Sequence, residues 1–365
     1  MKEQRIADRR MFNLQITGGK LDKPEQVVKQ LGALQAQDYH QALWAVGLRV
    51  QSATLADIEQ SIEDRKIMLT WPMRGTIHFV LPDDVRWMLK LSASRILARD
   101  NRRLEQLGLN QEIIERCKQL FYDALHGNKR ISRPLLMQLL EEAGISTKNQ
   151  RGYHLLWYLA QSGFICLGPR EGKQQSFVLL DEWVPAAKEA SIDEALAMLA
   201  ERYFTSHGPA TVHDFAWWAG ITLSDARRGA GAAPRGLASE KVGGQEYWWS
   251  EQSQWGSADG GPAVTLLPGY DEYLLGYKDR SAVLRAEYAS SIVPGNNGVF
   301  MPTVVIDGQV AGLWKRTIKK KGMDIEIRLF ESHSDREESI QEAAERYCGF
   351  MDLPLASISV EVKHV

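Results

Sequence analysis

The chain has 365 residues, 44% of them apolar, which predicts a globular protein of about two to four domains with large cores. No apolar run approaches the roughly 18 residues that a membrane-spanning helix needs, and "MKEQRIADRRMF" lacks the apolar core of a signal peptide, so we expect a cytoplasmic protein without membrane partners. The net charge of −2 argues against a protein that coats nucleic acid by bulk electrostatics, although it is compatible with a local basic groove.

The first predicted unit, residues 1–100, combines three helices with a hairpin. Apolar residues at helical spacing predict helices at about Glu25–Leu34 and Tyr39–Val50, and a third within "LADIEQSIEDRK". The period then changes, because "IMLTWPMRGTIHFVL" has β-prone arms on either side of the tip "MRG". Three helices followed by a hairpin indicate a winged-helix unit.

The same plan recurs twice, although the sequences do not visibly repeat. Residues 101–188 have three helical segments and two β-like arms, "FICLG" and "SFVLL", and Ser132 and Gly144 are start and stop signals for the middle helix. Residues 189–258 have three helical segments and a wing-like "YWWS". We therefore predict three tandem winged-helix units.

Residues 259–365 shift toward β structure. The segments "AVTLLPGYDEYLLGY", "TVVIDGQVAGLWKRT" and "MDIEIRLFE" are apolar or alternating, and Asp307-Gly308 is a hairpin signal. A helix near Arg336–Phe350 and a last strand, "SISVEVKHV", complete a compact α+β unit or a small barrel. The predicted fold class is α+β: three tandem winged-helix units followed by a C-terminal β-rich, barrel-like domain, after a linker at 253–262.

The segment "LGALQAQDYHQALWAVGLR" places two glutamines, Gln35 and Gln37, in an otherwise apolar stretch. On a helix these side chains would point roughly 200° apart, whereas in an extended segment they point to the same side. They can act together only if the preceding helix ends near Leu34. A glutamine amide is a poor general base, but it both donates and accepts and can hold a water molecule. The alternative is a polar surface turn between two helices.

Several segments together carry a family resemblance: "GALQAQDYHQALWAVGLR", "TWPMRGTIHFV", "GPATVHDFAWWAGI", "LLPGYDEYLLGYKDR" and "PTVVIDGQVAGLWKR". In this order they resemble the winged-helix family that contains the AlkZ and YcaQ bacterial DNA glycosylases. In that family a glutamine–apolar–glutamine motif marks the AlkZ-like branch, and a glutamine–apolar–aspartate motif marks the YcaQ-like branch. Gln35-Ala36-Gln37 matches the first.

The resemblance implies tandem winged helices around duplex DNA and excision of N7-alkylguanines, including bulky adducts and crosslinks, with Gln35 and Gln37 as catalytic residues. Alkylation at N7 makes guanine cationic, so the base departs neutral and needs no strong general acid. Preorganised dipoles can stabilise the sugar cation and place the attacking water. Extrusion of the lesion base and attack from the groove both fit this chemistry.

The predicted DNA contacts are basic residues at helix starts and wing tips, where winged-helix units meet phosphates, together with a glycine that permits close approach of the backbone. For Arg74 and His78 the alternatives are a solvated turn residue and a satisfied half-buried one. The predicted DNA-binding set is Arg74, Gly75, His78, Lys129, Arg130, Arg133, Arg151, His154, Lys315 and Arg316.

No metal-binding or nucleotide-binding motif is visible, so we expect no metal and no cofactor. Asp271, Glu272, Asp279 and Arg280 are more typical of structural ion pairs than of catalytic groups. The predicted partner is double-stranded DNA that contains alkylated guanine, bound by a monomer that is nucleoid-associated when bound to DNA. The alternative function is a non-catalytic winged-helix DNA-binding protein, either a transcription regulator or a drug-sequestering resistance protein. A regulator normally dimerises on paired half-sites, and no dimerisation heptads are visible.

Overall fold

The computed structural model describes residues 3–233, 236–253 and 263–363. The chain forms two compact units, which we name the glutamine unit (Met1–Ile58 with Leu196–Val365) and the hairpin unit (Glu59–Ala195). The linker predicted at 253–262 lies outside the described residues except for Ser253. The division into four domains stays a prediction.

Helices and strands are mixed along the chain, which confirms the predicted α+β class. Within the described residues the helices are α1 (Glu3–Asn13), α2 (Pro24–Leu31), α3 (Tyr39–Gly47), α4 (Leu55–Glu63), α5 (Val85–Leu107), α6 (Gln111–Leu125), α7 (Arg133–Glu142), α8 (Arg151–Gln161), α9 (Leu180–Trp183), α10 (Ile192–His207), α11 (Val212–Ala219), α12 (Leu223–Gly231), α13 (Glu272–Leu275), α14 (Ala289–Ile292) and α15 (Glu337–Phe350). The strands are β1 (Leu34–Gln35), β2 (Met68–Met73), β3 (Thr76–Val80), β4 (Ile131–Ser132), β5 (Ile165–Glu171), β6 (Gln174–Leu179), β7 (Leu237–Val242), β8 (Gln245–Ser250), β9 (Val264–Leu267), β10 (Thr303–Ile306), β11 (Gln309–Lys319), β12 (Gly322–Leu329) and β13 (Leu355–Val362).

The hairpin unit contains an antiparallel sheet in which its strands run in the order β3–β2–β5–β6–β4. The two predicted wings, β2–β3 and β5–β6, adjoin through the pair Leu69 and Leu167. Helices α5 and α8 pack against β2. Helix α5 was not predicted, and its second half is rich in charged residues. Gly108, in the left-handed conformation, follows its last residue.

The C-terminal part of the glutamine unit is a sheet with the strand order β13–β12–β11–β10–β9. Pairing is antiparallel except between β12 and β13, and α15 provides the crossover that parallel neighbours require. The order is linear, with β13 and β9 at its two ends. Of the two predicted alternatives, the structure therefore gives a compact α+β unit with an open sheet. Asp307 and Gly308, with φ of 47° and 78°, form the predicted turn between β10 and β11.

Some predicted element boundaries were wrong. Helix α2 ends at Leu31, not Leu34, because Gly32 follows it with φ of 82°. Helix α3 ends at Gly47 rather than Val50. In the segment 263–277 only β9 is a strand, because Pro268 lacks a backbone donor and Asp271 then caps α13 by accepting a hydrogen bond from the backbone of Tyr273.

Candidate active site

The two glutamines lie in an extended segment between α2 and α3. Gln35 ends β1, and Asp38 is the N-cap of α3, where Oδ1 accepts a hydrogen bond from the backbone N–H of Gln41 at 3.2 Å. Leu34 and Ala36 are buried, whereas Gln35 is half-buried and Gln37 is exposed. This alternation indicates that both glutamines lie on the side of the segment opposite Leu34 and Ala36. The condition for joint action, that α2 ends by Leu34, is confirmed.

The amide of Gln35 belongs to a group of polar side chains that have a buried atom without a hydrogen-bond partner among the described residues; Gln161 and Glu272 are others. The Gln35 Oε1 atom is buried and has no hydrogen-bond partner. Leaving a buried acceptor unpaired costs about 1–3 kcal/mol, and such groups in native proteins call for an explanation, a catalytic role among them. Gln35 thus offers a free acceptor beside the more exposed Gln37.

Charged and aromatic groups of the same unit lie around this segment. Burial lowers the pKa of Arg316, and the Asp38 carboxylate offsets only part of this lowering. Burial and Asp38 together raise the pKa of Tyr270. The Arg316 guanidinium lies 5.4 Å from the Tyr347 ring centroid and contacts the Met351 Sδ at 3.7 Å. Arg316 is therefore part of the surroundings of the glutamine motif.

Lys315 occupies the opposite face of β11. Its side chain is exposed, and its Nζ lies 2.8 Å from a Glu326 carboxylate oxygen on β12. Adjacent residues of a strand point to opposite faces, so these two cations of the predicted DNA-binding set lie on opposite faces of the sheet. Lys315 stays a predicted DNA contact. Arg316 instead has the Asp38 carboxylate as an electrostatic neighbour.

The hairpin β2–β3 presents Arg74 and Gly75 at its tip, with φ of 52° and 69°. Positive φ at both central residues is the mark of a tight type I′ hairpin turn. A Cβ added at Gly75 would meet only the Trp157 ring, at 3.8 Å, so Gly75 is required by the turn conformation and not by lack of space.

His78 is completely buried and supports Arg74. Its Nδ1 donates to the Thr76 carbonyl at 2.8 Å, so its Nε2 is the acceptor for the Arg74 Nη2, 3.2 Å away. Burial, and to a lesser extent the Arg74 cation, lowers the pKa of His78 to about 3. The ring is thus neutral and positions the guanidinium, and of the two residues Arg74 is the better candidate for a DNA contact.

The predicted contacts around α7 and α8 differ in their surroundings. Lys129 is exposed in the loop before β4. Arg133, at the start of α7, lies 5.3 Å from the Tyr153 ring centroid. Arg130 bridges Glu63 at 2.9 Å and Glu171 at 3.6 Å, so its charge is already compensated.

Arg151 and His154 have internal partners that the sequence analysis did not foresee. Arg151 donates to the carbonyls of Ser146 and Leu107, which closes the end of α5. The Nε2 of His154 lies 2.7 Å from the Asp100 carboxylate. These contacts give both side chains a role in holding α8 to α5. Lys129 and Arg133 are therefore better candidates for a phosphate contact than Arg151 and His154.

Helix α3, which begins directly after the glutamine motif, is fixed to the segment 266–271 at three points. The Gln41 Oε1 accepts a hydrogen bond from the Gly269 backbone at 3.0 Å, and the Trp44 Nε1 donates to the Leu266 carbonyl at 2.7 Å. At the far end, Arg49 forms a bidentate pair with Asp271, with both distances 2.9 Å and neither side chain more than 2% exposed. The motif is therefore held by a rigid helix.

A second buried network surrounds Glu272, for which the sequence favoured a structural ion pair. Its Oε2 accepts a hydrogen bond from the Trp218 Nε1 at 2.8 Å and lies 3.1 Å from the His207 Nε2. Sequence reasoning missed the anchors Gln41, Trp44 and Arg49. The available signal was Arg49, a charge that directly follows the apolar stretch 42–48, because a buried cation requires a partner.

The comparison with known families decides the identity of the chain. The profile of the family described as "DNA glycosylase AlkZ-like" matches residues 28–350. The chain belongs to this family. It is therefore a DNA N-glycosylase, and the predicted resemblance is confirmed.

A curated relative and a solved structure, both from Streptomyces sahachiroi, are similar to this AlkZ-like glycosylase. The "Interstrand DNA cross-link repair glycosylase" is 27% identical over 300 residues, which covers 79% of this chain and 81% of the relative. The solved structure of the "Streptomyces sahachiroi DNA glycosylase AlkZ" has a TM-score of 0.82 with 22% identity and covers 99% of each chain. This second likeness shows a shared fold.

The described residues of the AlkZ-like chain contain neither a candidate membrane span nor a candidate metal site. In residues 3–233, 236–253 and 263–363, no helix is both long and apolar enough to span a membrane. In the same ranges, no three or more His, Cys, Asp or Glu side chains come together as a metal site.

We predict that replacing Arg49 with methionine lowers the free energy of unfolding by about 3–5 kcal/mol, because it leaves the Asp271 carboxylate buried without its cation. Urea unfolding followed by circular dichroism measures this loss. The matched control is Arg336→Met, which removes the exposed 2.8 Å pair with Asp307 in the same unit and should cost under about 1 kcal/mol. Equal losses in the two variants would contradict the proposed anchoring of α3.

Proposed function

We propose that the protein excises cationic N7-alkylguanines from duplex DNA, including bulky adducts and interstrand crosslinks, by adding water to the anomeric carbon. The observation that carries this proposal is the unpaired, buried Gln35 Oε1 beside Gln37 in an extended segment. The name of the 27% identical relative, an interstrand cross-link repair glycosylase, supports the substrate class.

The proposed reaction needs no strong acid. When the bond between C1′ and N9 breaks, its electron pair moves to N9 and neutralises the charge of the alkylated base. The sugar becomes an oxocarbenium-like cation, water forms the new bond to C1′, and the displaced proton passes to solvent. Because the Oε1 atom of Gln35 is buried, the Gln35 side chain turns toward the bound lesion in this proposal. Its Oε1 then accepts a hydrogen bond from the water, and the exposed amide of Gln37 provides the second contact.

The backbone that carries the two amides is preorganised for this task. The Gln41, Trp44 and Arg49 contacts fix α3, and Asp38 fixes its first turn, so the motif does not have to be ordered when DNA binds. Preorganised dipoles are effective because no reorganisation is needed as charge develops in the transition state. The Asp38 carboxylate opposes the lowering of the Arg316 pKa by burial, so Arg316 has an opposite charge in its surroundings.

The direct test is incubation with duplex DNA that contains one N7-methylguanine, with chromatographic detection of the free base. We expect free N7-methylguanine and an intact strand that breaks only after hot alkali, because a monofunctional glycosylase leaves an abasic site. A duplex without the lesion is the control. Binding of the damaged duplex with no base release would support the alternative, a non-catalytic DNA-binding protein.

We also predict that Lys315→Glu weakens binding to any duplex and flattens its salt dependence by about one unit of log–log slope, as expected for a lost phosphate contact. The control is Lys118→Glu on α6, because Lys118, like Lys315, lies 2.8 Å from a glutamate partner. Fluorescence anisotropy from 50 to 200 mM salt measures both. If the two variants bind alike, Lys315 is only a solvated surface residue.

Arg316 provides a contrast on the same strand. Because it is half-buried and acts on Asp38 beside the motif, Arg316→Gln should reduce the excision rate more than duplex affinity. The earlier expectation, that Lys315 and Arg316 serve duplex binding together, predicts equal losses of affinity instead. Anisotropy and single-turnover excision on the same samples distinguish the two.

A further inference from the structure

The glutamine unit contains a cavity of about 230 Å³ between α3, β9 and α15. Its apolar wall includes Trp44 and Leu48, at the C-terminal end of α3, whereas Gln37 precedes the N-terminal end. The Trp44 Nε1 donates to the Leu266 carbonyl, so Trp44 offers ring surface to the cavity and not a donor. The volume holds roughly seven water molecules at about 30 Å³ each.

Two cations line this cavity. The Lys20 Nζ donates to the carbonyls of Gln15 and Ile16 at 3.0 and 2.8 Å, which uses two of its three N–H groups. The Arg346 Nη2 donates to the Val264 carbonyl at 2.8 Å, and its Nη1 is 3.9 Å from the Glu342 carboxylate. Both side chains therefore keep donor capacity.

The positive charge at this point is only partly compensated within the protein, because Glu342 lies 3.9 Å from Arg346 and Lys20 bonds only carbonyl groups. Burial, and then the Arg49 and Arg346 cations, lowers the pKa of Lys20 to about 7. Arg49 already has Asp271 as its partner. The cavity wall is thus electropositive, and an anion inside it would relieve the repulsion between Lys20 and Arg346.

A third polar group in the wall lacks a partner. Thr265 is only 7% exposed, and its Oγ1 is buried without a hydrogen bond. A buried hydroxyl without a partner is costly. An anion between Lys20 and Arg346 could accept a hydrogen bond from this hydroxyl.

We propose that this cavity is a binding site for a small organic anion, whose carboxylate or phosphate group is bound by Lys20, Arg346 and Thr265 and whose apolar body packs on Trp44 and Leu48. The two cations and the hydroxyl account for the head group, and the apolar wall accounts for the body. The site is independent of the excision reaction, because it uses neither glutamine of the motif.

Titration calorimetry with benzoate, phenyl phosphate, benzamide and inorganic phosphate tests this proposal. Both ring-bearing anions should bind at least about tenfold more tightly than neutral benzamide, because hydrogen bonds to charged groups are worth about 1.5–3 kcal/mol. They should also exceed inorganic phosphate, which lacks the apolar body. The tighter of the two identifies the head group. Equal binding of benzamide and benzoate, or no saturable binding of any anion, overturns the proposal.

Two variants locate the site. Thr265→Val removes only the hydroxyl and should weaken benzoate binding about two- to tenfold, while Lys20→Met should weaken it at least about tenfold. Thr265→Val keeps the test decisive if Lys20→Met fails to fold. Unchanged affinity in Thr265→Val and in a folded Lys20→Met would show that benzoate binds elsewhere.

Proton uptake gives an independent readout. At pH 8 the Lys20 ammonium is largely deprotonated, since its pKa is about 7, and a bound anion favours its charged form. Benzoate binding in the parent should therefore take up a proton from the buffer, visible as a difference in enthalpy between buffers of different ionisation heat. Lys20→Met should abolish this difference. The charged groups nearby are Arg49 with Asp271, and Arg346 with Glu342; a difference that persists in Lys20→Met would contradict the role of Lys20.

Discussion

Replacing both Gln35 and Gln37 with alanine should reduce excision of N7-methylguanine by at least about 10³-fold, since one preorganised group of this kind is typically worth about 10²–10³ in rate. Binding to undamaged duplex should stay within a few-fold, because the amides serve the transition state and not phosphate contacts. Each single variant should lose less, because one amide can still hold the water. Single-turnover excision and anisotropy measure the two effects separately.

Two further variants separate catalysis from structure. Gln341→Ala is the matched control, because Gln341 is an exposed glutamine in the same unit that bonds only its helix neighbour Glu345. Gln35→Met removes the buried, unpaired Oε1, so it should abolish most activity without lowering the free energy of unfolding. Excision by the double alanine variant at the parental rate would refute the catalytic assignment.

The local structure of the motif could be predicted from the sequence because its signals are local. Asp38 marks the start of α3, and Gly32 is a local stop signal for α2 that the predicted boundary at Leu34 overlooked. The hairpin turns at Arg74-Gly75 and Asp307-Gly308 were predictable for the same reason, since both require positive φ at two positions.

What could not be predicted depends on residues far apart in the chain. Two contacts join segments that are far apart in the chain, and no periodicity reveals them. They are the pairing of the two wings through Leu69 and Leu167 and the ion pair of Arg49 with Asp271.

The opposite faces of Lys315 and Arg316 were predictable, because Lys315 lies in a segment read as a strand and side chains alternate along strands.

The internal partners of the basic residues also escaped prediction. Lysine and arginine at helix starts look alike in sequence whether they face solvent or bond a distant carboxylate or carbonyl. Arg130 with Glu63 and Arg151 with Leu107 are examples in the hairpin unit. Arg74, Lys129 and Arg133 are therefore the first predicted phosphate contacts to test in that unit, and Arg130, Arg151 and His154 stay predictions.

The structure bears on which residues could act as an acid. The Asp38 carboxylate is the N-cap of α3, where its Oδ1 accepts a hydrogen bond from the Gln41 backbone. It also opposes the lowering of the Arg316 pKa by burial. His78 is buried, and its pKa is lowered to about 3, so it is neutral near pH 7 and has no proton to give beyond the one that Thr76 binds. His40, exposed on the first turn of α3, packs against Tyr39 with ring centroids 5.8 Å apart.

We therefore predict that the enzyme excises cationic N7-alkylguanines and fails on neutral lesions such as uracil and 8-oxoguanine. A neutral base must leave as an anion unless an acid protonates it, and the loss of a well-placed acid or donor typically costs roughly 10² or more in rate. The measurement compares release of N7-methylguanine, uracil and 8-oxoguanine from otherwise identical duplexes. The same fraction of each duplex is bound by the enzyme, and a heat-treated enzyme is the blank. Efficient release of uracil would reveal a general acid, and the variants His40→Ala and Asp38→Asn would then show whether it is His40 or Asp38.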